Sequence, residues 1–237
     1  MASRIRFFIP CYVDELWPQA ARAAVELAEA VGFRVQLVDA VCCGQALSNA
    51  GAASGRLEAV FEAAAGGDDS EIIVLSASCT GHLDSVRAPE ARPAVVEWCE
   101  WFARHAPDRF PNRVERCVAL HGSCSALRSD GRSSEVRSSR GVAAMRDLLS
   151  RVDGLVVADP AFASECCGFG GSFATTFPEL SVRMGKDKLA SLRDAGSDRG
   201  RVDGIVSSDC SCLLHLRAIE GAGLPFYHVA EILRSAA

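Results

Sequence analysis

ECCGFGGSF, residues 165–173, sets two cysteines side by side and follows them with three glycines in four positions. VCCGQALSN, residues 41–49, repeats the Cys-Cys-Gly core. Outward from Cys166 and Cys167 the chain reads as strand RCVALHGS, Cys124, helix GVAAMRDLLSRVDG and strand LVVADP. After the pair come a helix through ELSVRMGKDKLASLRDAG, strand GIVSSD, Cys210 and Cys212. Outward from Cys42 and Cys43 the order is the same: strand RIRFFIP, Cys11, helix PQAARAAVELAEAVG and strand RVQLVDA. Helix GRLEAVFEAAAG, strand EIIVLSAS and Cys79 follow. The cysteine steps are 31 and 36 residues in the first copy (11→42, 43→79) and 42 and 45 in the second (124→166, 167→212). SCTGHL at 78–83 matches SCLLHL at 211–216. Two copies of one module are the simplest account of a pattern repeated at this scale.

Short apolar strands alternate with amphipathic helices in each copy, which predicts an α/β fold of βαβ-type, Rossmann-like units with a mainly parallel sheet flanked by helices. AARAAVELAEAVGF carries apolar residues at helical spacing and ends at Gly32, a suitable C-cap. EARPAVVEWCEWFARHAPDRFPNRVER is expected to hold a connecting helix. Its end, with Pro107 and Pro111, places the boundary between modules 1–112 and 113–237. The serine- and arginine-rich RSDGRSSEVRSSRG, 128–141, reads as an exposed, mobile loop.

The hydrophobic fraction of 49% and charged fraction of 23% are those of a globular protein with a real core. A net charge of −5, with no lysine or arginine stripe, argues against nucleic acid or an anionic membrane as the main partner. MASRIRFFIPCYVDEL is too short and too acidic at its close for a secretion signal and reads as a buried strand. No window approaches the ~18 apolar residues of a membrane helix. A soluble, cytoplasmic protein is expected.

Eleven cysteines then call for an explanation. In a reducing cytosol they are not a disulfide scaffold, so metal binding or redox chemistry leads. Cys99 and Cys117, in VVEWCEWF and VERCVAL, fit small buried hydrophobes; the adjacent pairs do not. Ligands of an open parallel sheet collect beyond the carboxyl ends of its strands. The reading puts Cys11, Cys42, Cys43 and Cys79 there in one copy, and Cys124, Cys166, Cys167 and Cys212 in the other. Four thiolates near one point repel unless a metal neutralises them, and soft sulfur ligands in fours select zinc or an iron–sulfur cluster. A glycine after each pair lets the backbone approach a bulky inorganic core and adopt positive φ. Paired CxxC zinc knuckles and a Cys-X-X-Cys redox motif are both absent, and the long spacing suits iron–sulfur better. Zinc and a dithiol centre remain the alternatives.

At these residues the chain resembles the cysteine-rich CCG domain, present twice and covering nearly its whole length. That domain occurs in heterodisulfide reductases, in iron–sulfur subunits of glycolate and glycerol-3-phosphate oxidising enzymes, and in the lactate-utilisation protein A family. IPCYVDELWP, ECCGFGGSFA, HGSCSALR and SCLLHL are similar to segments of the last family. The resemblance implies a cytoplasmic iron–sulfur component that works with partners in oxidising L-lactate to pyruvate. It implies one or two [4Fe–4S] clusters, one held by Cys11, Cys42, Cys43 and Cys79 and the other by Cys124, Cys166, Cys167 and Cys212. The fuller family pattern ends in Cys-X-X-Cys, where this chain has His82 and His215. Four cysteines per module suit an ordinary four-iron cluster and count against heterodisulfide-type catalysis. The two histidines are substitute ligands or, in the favoured reading, donors to sulfur. Cys210 is an alternative ligand or a spare buried thiol.

No G-x-G-x-x-G nucleotide fingerprint or compact ferredoxin run is present. Oxidising a 2-hydroxy acid needs a two-electron acceptor, so the expected role is electron transfer within a complex. A ferredoxin-like iron–sulfur subunit and a further lactate-utilisation subunit are the expected partners. Arg128 and Arg183 are conceivable carboxylate binders, with surface arginines the simpler reading. A metal-stabilised scaffold or regulator, and a cluster-based thiol/disulfide reductase, are the other functional classes.

Overall fold

The computed structural model describes residues 3–40, 42–52, 60–61, 71–86, 93–127, 138–196 and 201–237. The first module runs β1 (Ser3–Phe8), α1 (Cys11–Leu16), α2 (Pro18–Ala30), β2 (Phe33–Leu37), α3 (Gln45–Asn49), β3 (Ile72–Val74), α4 (Ala77–Val86), β4 (Val95–Glu97) and α5 (Trp98–Ala103). The second runs β5 (Arg116–Leu120), α6 (Cys124–Leu127), α7 (Ser138–Ser150), β6 (Leu155–Ala158), α8 (Ser172–Thr176), α9 (Pro178–Asp194), β7 (Gly204–Ser207), α10 (Cys210–Glu220), β8 (Phe226–His228) and α11 (Val229–Ala236).

Each module builds a four-stranded sheet, ordered β2-β1-β3-β4 in the first and β6-β5-β7-β8 in the second, with every pairing parallel. A two-module α/β fold with parallel sheets flanked by helices is therefore present, as the alternation of elements predicts. The last four residues of β1 are all buried, as in a parallel sheet covered on both faces. The strand order reverses direction between β1 and β3, and again between β5 and β7. Such switch points open a crevice beyond the carboxyl ends of the two strands.

Two expectations need amending. The segment expected to hold a connecting helix does hold one, α5 from Trp98, but an unforeseen strand precedes it: β4 pairs with β3 in the register Ile72↔Val95. Its equivalent, β8, pairs with β7 from Ile205↔Phe226. Three residues are too few to show a period, and backbone pairing to a buried neighbour makes these strands. The loop expected over 128–141 ends early, because Ser138–Gly141 already form the first turn of α7; residues 128–137, Arg128 among them, lie outside the described residues. So does most of the helix expected at 55–66.

The halves pack reciprocally. Helix α5, which closes the first sheet, lies on α7 of the second module, and α11, which closes the second, lies on α2 of the first. At one junction Arg151 donates to the carbonyls of Ala103 (3.0 Å) and Ala106 (3.1 Å). At the other, Trp17 Nε1 donates to Glu231 Oε2 at 2.9 Å, and the Arg217 guanidinium stacks 4.4 Å from the centre of the Trp17 ring. One apolar core runs through both junctions, from Phe7 and Trp101 to Leu213 and Leu233. Arg183, on α9, pairs with Asp187 one turn along on the exposed face, as a surface arginine would.

Candidate metal centres

The sequence-distant cysteines meet at the two switch points. Cys11 opens α1 just after β1, Cys42 and Cys43 lie in the loop after β2, and Cys79 is the third residue of α4 after β3. Cys11 Sγ stands 3.7 Å from Cys42 Sγ, and Cys43 Sγ stands 3.2 Å from Cys79 Sγ. The second module repeats this: Cys124 Sγ is 3.9 Å from Cys166 Sγ, and Cys167 Sγ is 3.0 Å from Cys212 Sγ. These separations far exceed the ~2.05 Å of a disulfide, and none of the eight cysteines is in a disulfide. The adjacency now has a geometric reason: within each pair, one cysteine faces the thiol after the first strand and the other faces the thiol after the third.

The glycine after each pair completes the loop. Gly44 and Gly168 have φ of +84° and +87°, a region costly for residues with a Cβ. Their N–H groups reach back to Cys42 Sγ and Cys166 Sγ, both at 3.4 Å. At Gly168 a Cβ would stand 2.5 Å from the Ser181 carbonyl and 2.9 Å from Met184 Cβ. Only glycine lets the loop nest against α9 there.

Crowded thiols divide their protons unequally. The hydrogen bond with Cys79 draws the Cys43 thiol down to about 7, while the same bond, with burial, pushes Cys79 well up. Cys166 is drawn well down, first by Cys124 and then by Cys167; Cys167 is pushed up by its hydrogen bonds with Cys166 and Cys212. At Cys212 the bond from Cys167 favours the thiolate, yet burial and the Asp209 charge outweigh it and the thiol rises. Burial and the neighbouring Cys42 raise Cys11 to about 11. Each set thus retains protons that a bound metal would displace. Four convergent thiols, an N–H donor to sulfur and a glycine-lined approach fit a soft, thiolate-ligated metal group.

Neither His82 nor His215 joins a thiol set. His215 Nε2 lies 3.3 Å from Ser181 Oγ, which donates to the Gly168 carbonyl at 2.8 Å, so this histidine braces the Cys-Cys-Gly loop from behind. His82 is buried on α4. The histidine that does approach sulfur is His121, whose ring nitrogen, Cys167 Sγ and Cys212 Sγ all lie within 4.8 Å of one another. Sequence reading missed it, although HGSC at 121–124 carried a signal: His121 stands three residues before Cys124, where the first copy has Phe8 before Cys11. Burial, helped by the Lys188 charge, holds the His121 imidazole down to about 3. Cys210 and Cys99 are buried in the apolar core, and burial raises both thiols.

The profile of the cysteine-rich domain CCG matches residues 5–84 and again residues 118–217, each stretch spanning one thiol set. The chain belongs to the CCG cysteine-rich domain family. Among similar proteins, lactate utilization protein A of Bacillus cereus (strain G9842) is 29% identical over 250 residues, covering 98% of this chain and 99% of that one. Lactate utilization protein A of Bacillus cytotoxicus is 27% identical over 252 residues with the same coverage. The glutamate racemase isoform RacE1 of Bacillus anthracis aligns with 99% of this chain and 80% of its own at 9% identity, with a TM-score of 0.38, too weak a likeness to carry an argument. No helix among the described residues of this CCG chain is long and apolar enough to cross a membrane.

Proposed function

We propose that this CCG chain is a cytoplasmic iron–sulfur, electron-carrying component of a multi-subunit system that oxidises L-lactate to pyruvate. The observation that carries the reading is the convergence of four thiols at each of two switch points, built the same way twice. The similarity over nearly full length to proteins named for lactate utilization supplies the process. Cys11, Cys42, Cys43 and Cys79 would hold one cluster, and Cys124, Cys166, Cys167 and Cys212 the other. Such a group, when bound, supplies one-electron chemistry between partners.

The chain's own residues prepare the sites. Gly44 and Gly168 donate N–H groups to sulfur, and Ser181 and His215 brace the second loop. Cys79 and Cys212 lie in the first turns of α4 and α10, where the helix dipole offsets part of what raises both thiols. Conversion of lactate to pyruvate releases two electrons and two protons. A ferredoxin-like subunit and a further lactate-utilisation subunit are the partners that would pass those electrons to and from this chain.

The test is purification without oxygen, followed by measurement of iron, acid-labile sulfide and zinc. About eight irons and eight sulfides per chain, two sets of four, together with lactate-dependent reduction in the presence of the partner subunits, are expected. Stoichiometric zinc without sulfide, persisting after reconstitution, would move the chain to the class of metal-stabilised scaffolds.

A further inference from the structure

The two thiol sets are built alike but surrounded differently. Phe8, at the end of β1, is fully buried in an apolar cluster with Cys43, Cys79, Val38, Val74 and Leu83. His121 takes the corresponding place at the end of β5 and anchors there by donating its backbone N–H to Val206 O at 2.9 Å. Its side chain is just as buried, and among the described residues neither Nδ1 nor Nε2 has a hydrogen-bond partner. Leaving a buried polar group unsatisfied costs about 1–3 kcal/mol, so an apolar ring would suit an empty pocket better. The imidazole nevertheless lies beside Cys167 and Cys212. Since the first set has the same four cysteines with phenylalanine at this place, the second is complete as a ligand set without the histidine. What remains for a neutral imidazole is to donate its N–H to sulfur.

A second group adds to the contrast. Both lysines of the chain, Lys186 and Lys188, belong to the second half. Lys188 is fully buried, with Nζ donating to the carbonyls of Phe162 (2.8 Å) and Ala163 (3.2 Å). Its charge acts first on Glu165 and then on Cys167, Cys166 and Cys212. Hydrogen bonds to sulfur and nearby positive charge both favour the more negative, reduced form of an iron–sulfur group.

We propose that His121, backed by the Lys188 ammonium, tunes the group held by the second thiol set, so that the second centre accepts an electron more readily than the first. The inference rests on the iron–sulfur reading above, and the experiment separates the two. The anaerobically purified full-length protein and its His121→Phe variant are analysed for iron and sulfide, then titrated against potential while the reduced signals are followed by electron paramagnetic resonance. The variant installs the first module's own residue. It is expected to keep its iron and sulfide while the higher of two one-electron waves moves down by at least tenfold in equilibrium constant, about 59 mV, and the lower wave stays. Lys188→Met is expected to move the same wave in the same direction. Unchanged waves, or equal movement of both, would overturn the proposal. Should the variant lose its second centre, wild-type protein labelled with 15N-histidine decides by pulsed resonance. Nitrogen coupling at the higher-potential centre alone supports the role of His121, and coupling at neither centre or equally at both overturns it. Absence of iron and sulfide from the wild type refutes the iron–sulfur reading instead.

Discussion

Replacing Glu97 by glutamine should make this protein more stable. Glu97 ends β4 and caps α5, its Oε2 accepting from the N–H groups of Cys99 at 2.7 Å and Glu100 at 3.3 Å. The residue is only 3% exposed, and burial, aided by the Glu100 charge, pushes its carboxyl from 4.5 up to about 8. At pH 7 the folded chain therefore holds this acid protonated while the unfolded chain ionises it. A raised folded-state pKa contributes stability that is full below pH 4.5 and is lost as pH rises toward 8. From 4.5 to pH 7 is about 2.5 units, and at ~1.36 kcal/mol per unit the loss at neutrality is about 3 kcal/mol. Glutamine cannot ionise, yet its carbonyl can accept the same two bonds. Glu97→Gln is expected to raise the unfolding free energy by about 3 kcal/mol at pH 7 and by under about 1 kcal/mol at pH 5. Urea unfolding of both proteins, matched for metal content, reads this directly. A gain of equal size at the two pH values, or a loss at pH 7, would refute the reasoning.

His228 carries the opposite sign: burial holds its imidazole down to about 4. Its contribution is present above pH 6.5 and is lost by up to about 1.4 kcal/mol per unit as pH falls toward 4, a slope that His228→Asn should flatten in acid unfolding curves. Cys43→Ser and Cys167→Ser should each lower bound iron from about eight to about four per chain, whereas Cys210→Ala should leave it unchanged; iron analysis checks all three. Gly168→Ala forces positive φ on alanine and drives a Cβ to 2.5 Å from the Ser181 carbonyl. It should cost about 2–4 kcal/mol and empty the second site before the first, as urea unfolding and iron content would show. Trp17→Phe removes the bond to Glu231 and weakens the stacking of Arg217; a loss of about 1–3 kcal/mol in thermal unfolding is expected.

The cysteine stations were legible because their spacing is covalent and repeated, and each lies where a strand hands over to a helix. The long helices α2 and α9 were equally plain, their apolar residues recurring over 13 and 17 residues. Val95–Glu97 and Phe226–His228 were not. Three residues carry no period, and such strands exist only once a neighbour offers its backbone. Cys79 illustrates a subtler limit: the strand expected over 71–78 stops at Val74, and the chain is helical from Ala77. The thiol therefore sits in a helical turn rather than at a strand tip. His121 escaped notice because its interest comes from burial and from missing partners, which no string of letters displays. Setting the two copies side by side, Phe8 against His121, was the one clue available.

The reciprocal seating of α5 on α7 and α11 on α2 is the arrangement two identical subunits would adopt around a two-fold axis. Assembled from identical chains, such a pair would repeat every residue, and a histidine beside one centre would stand beside both. Carried on a single polypeptide, the halves are free to diverge while their shared architecture holds. Asp209 already uses that freedom: it caps its own helix through Ser211 N at 3.1 Å and reaches across to Ser78 N of the other half at 3.1 Å, where the first copy offers only Ser76. Continuity of the chain thus permits a direction, with one centre as source and the other as sink, that strict symmetry would forbid.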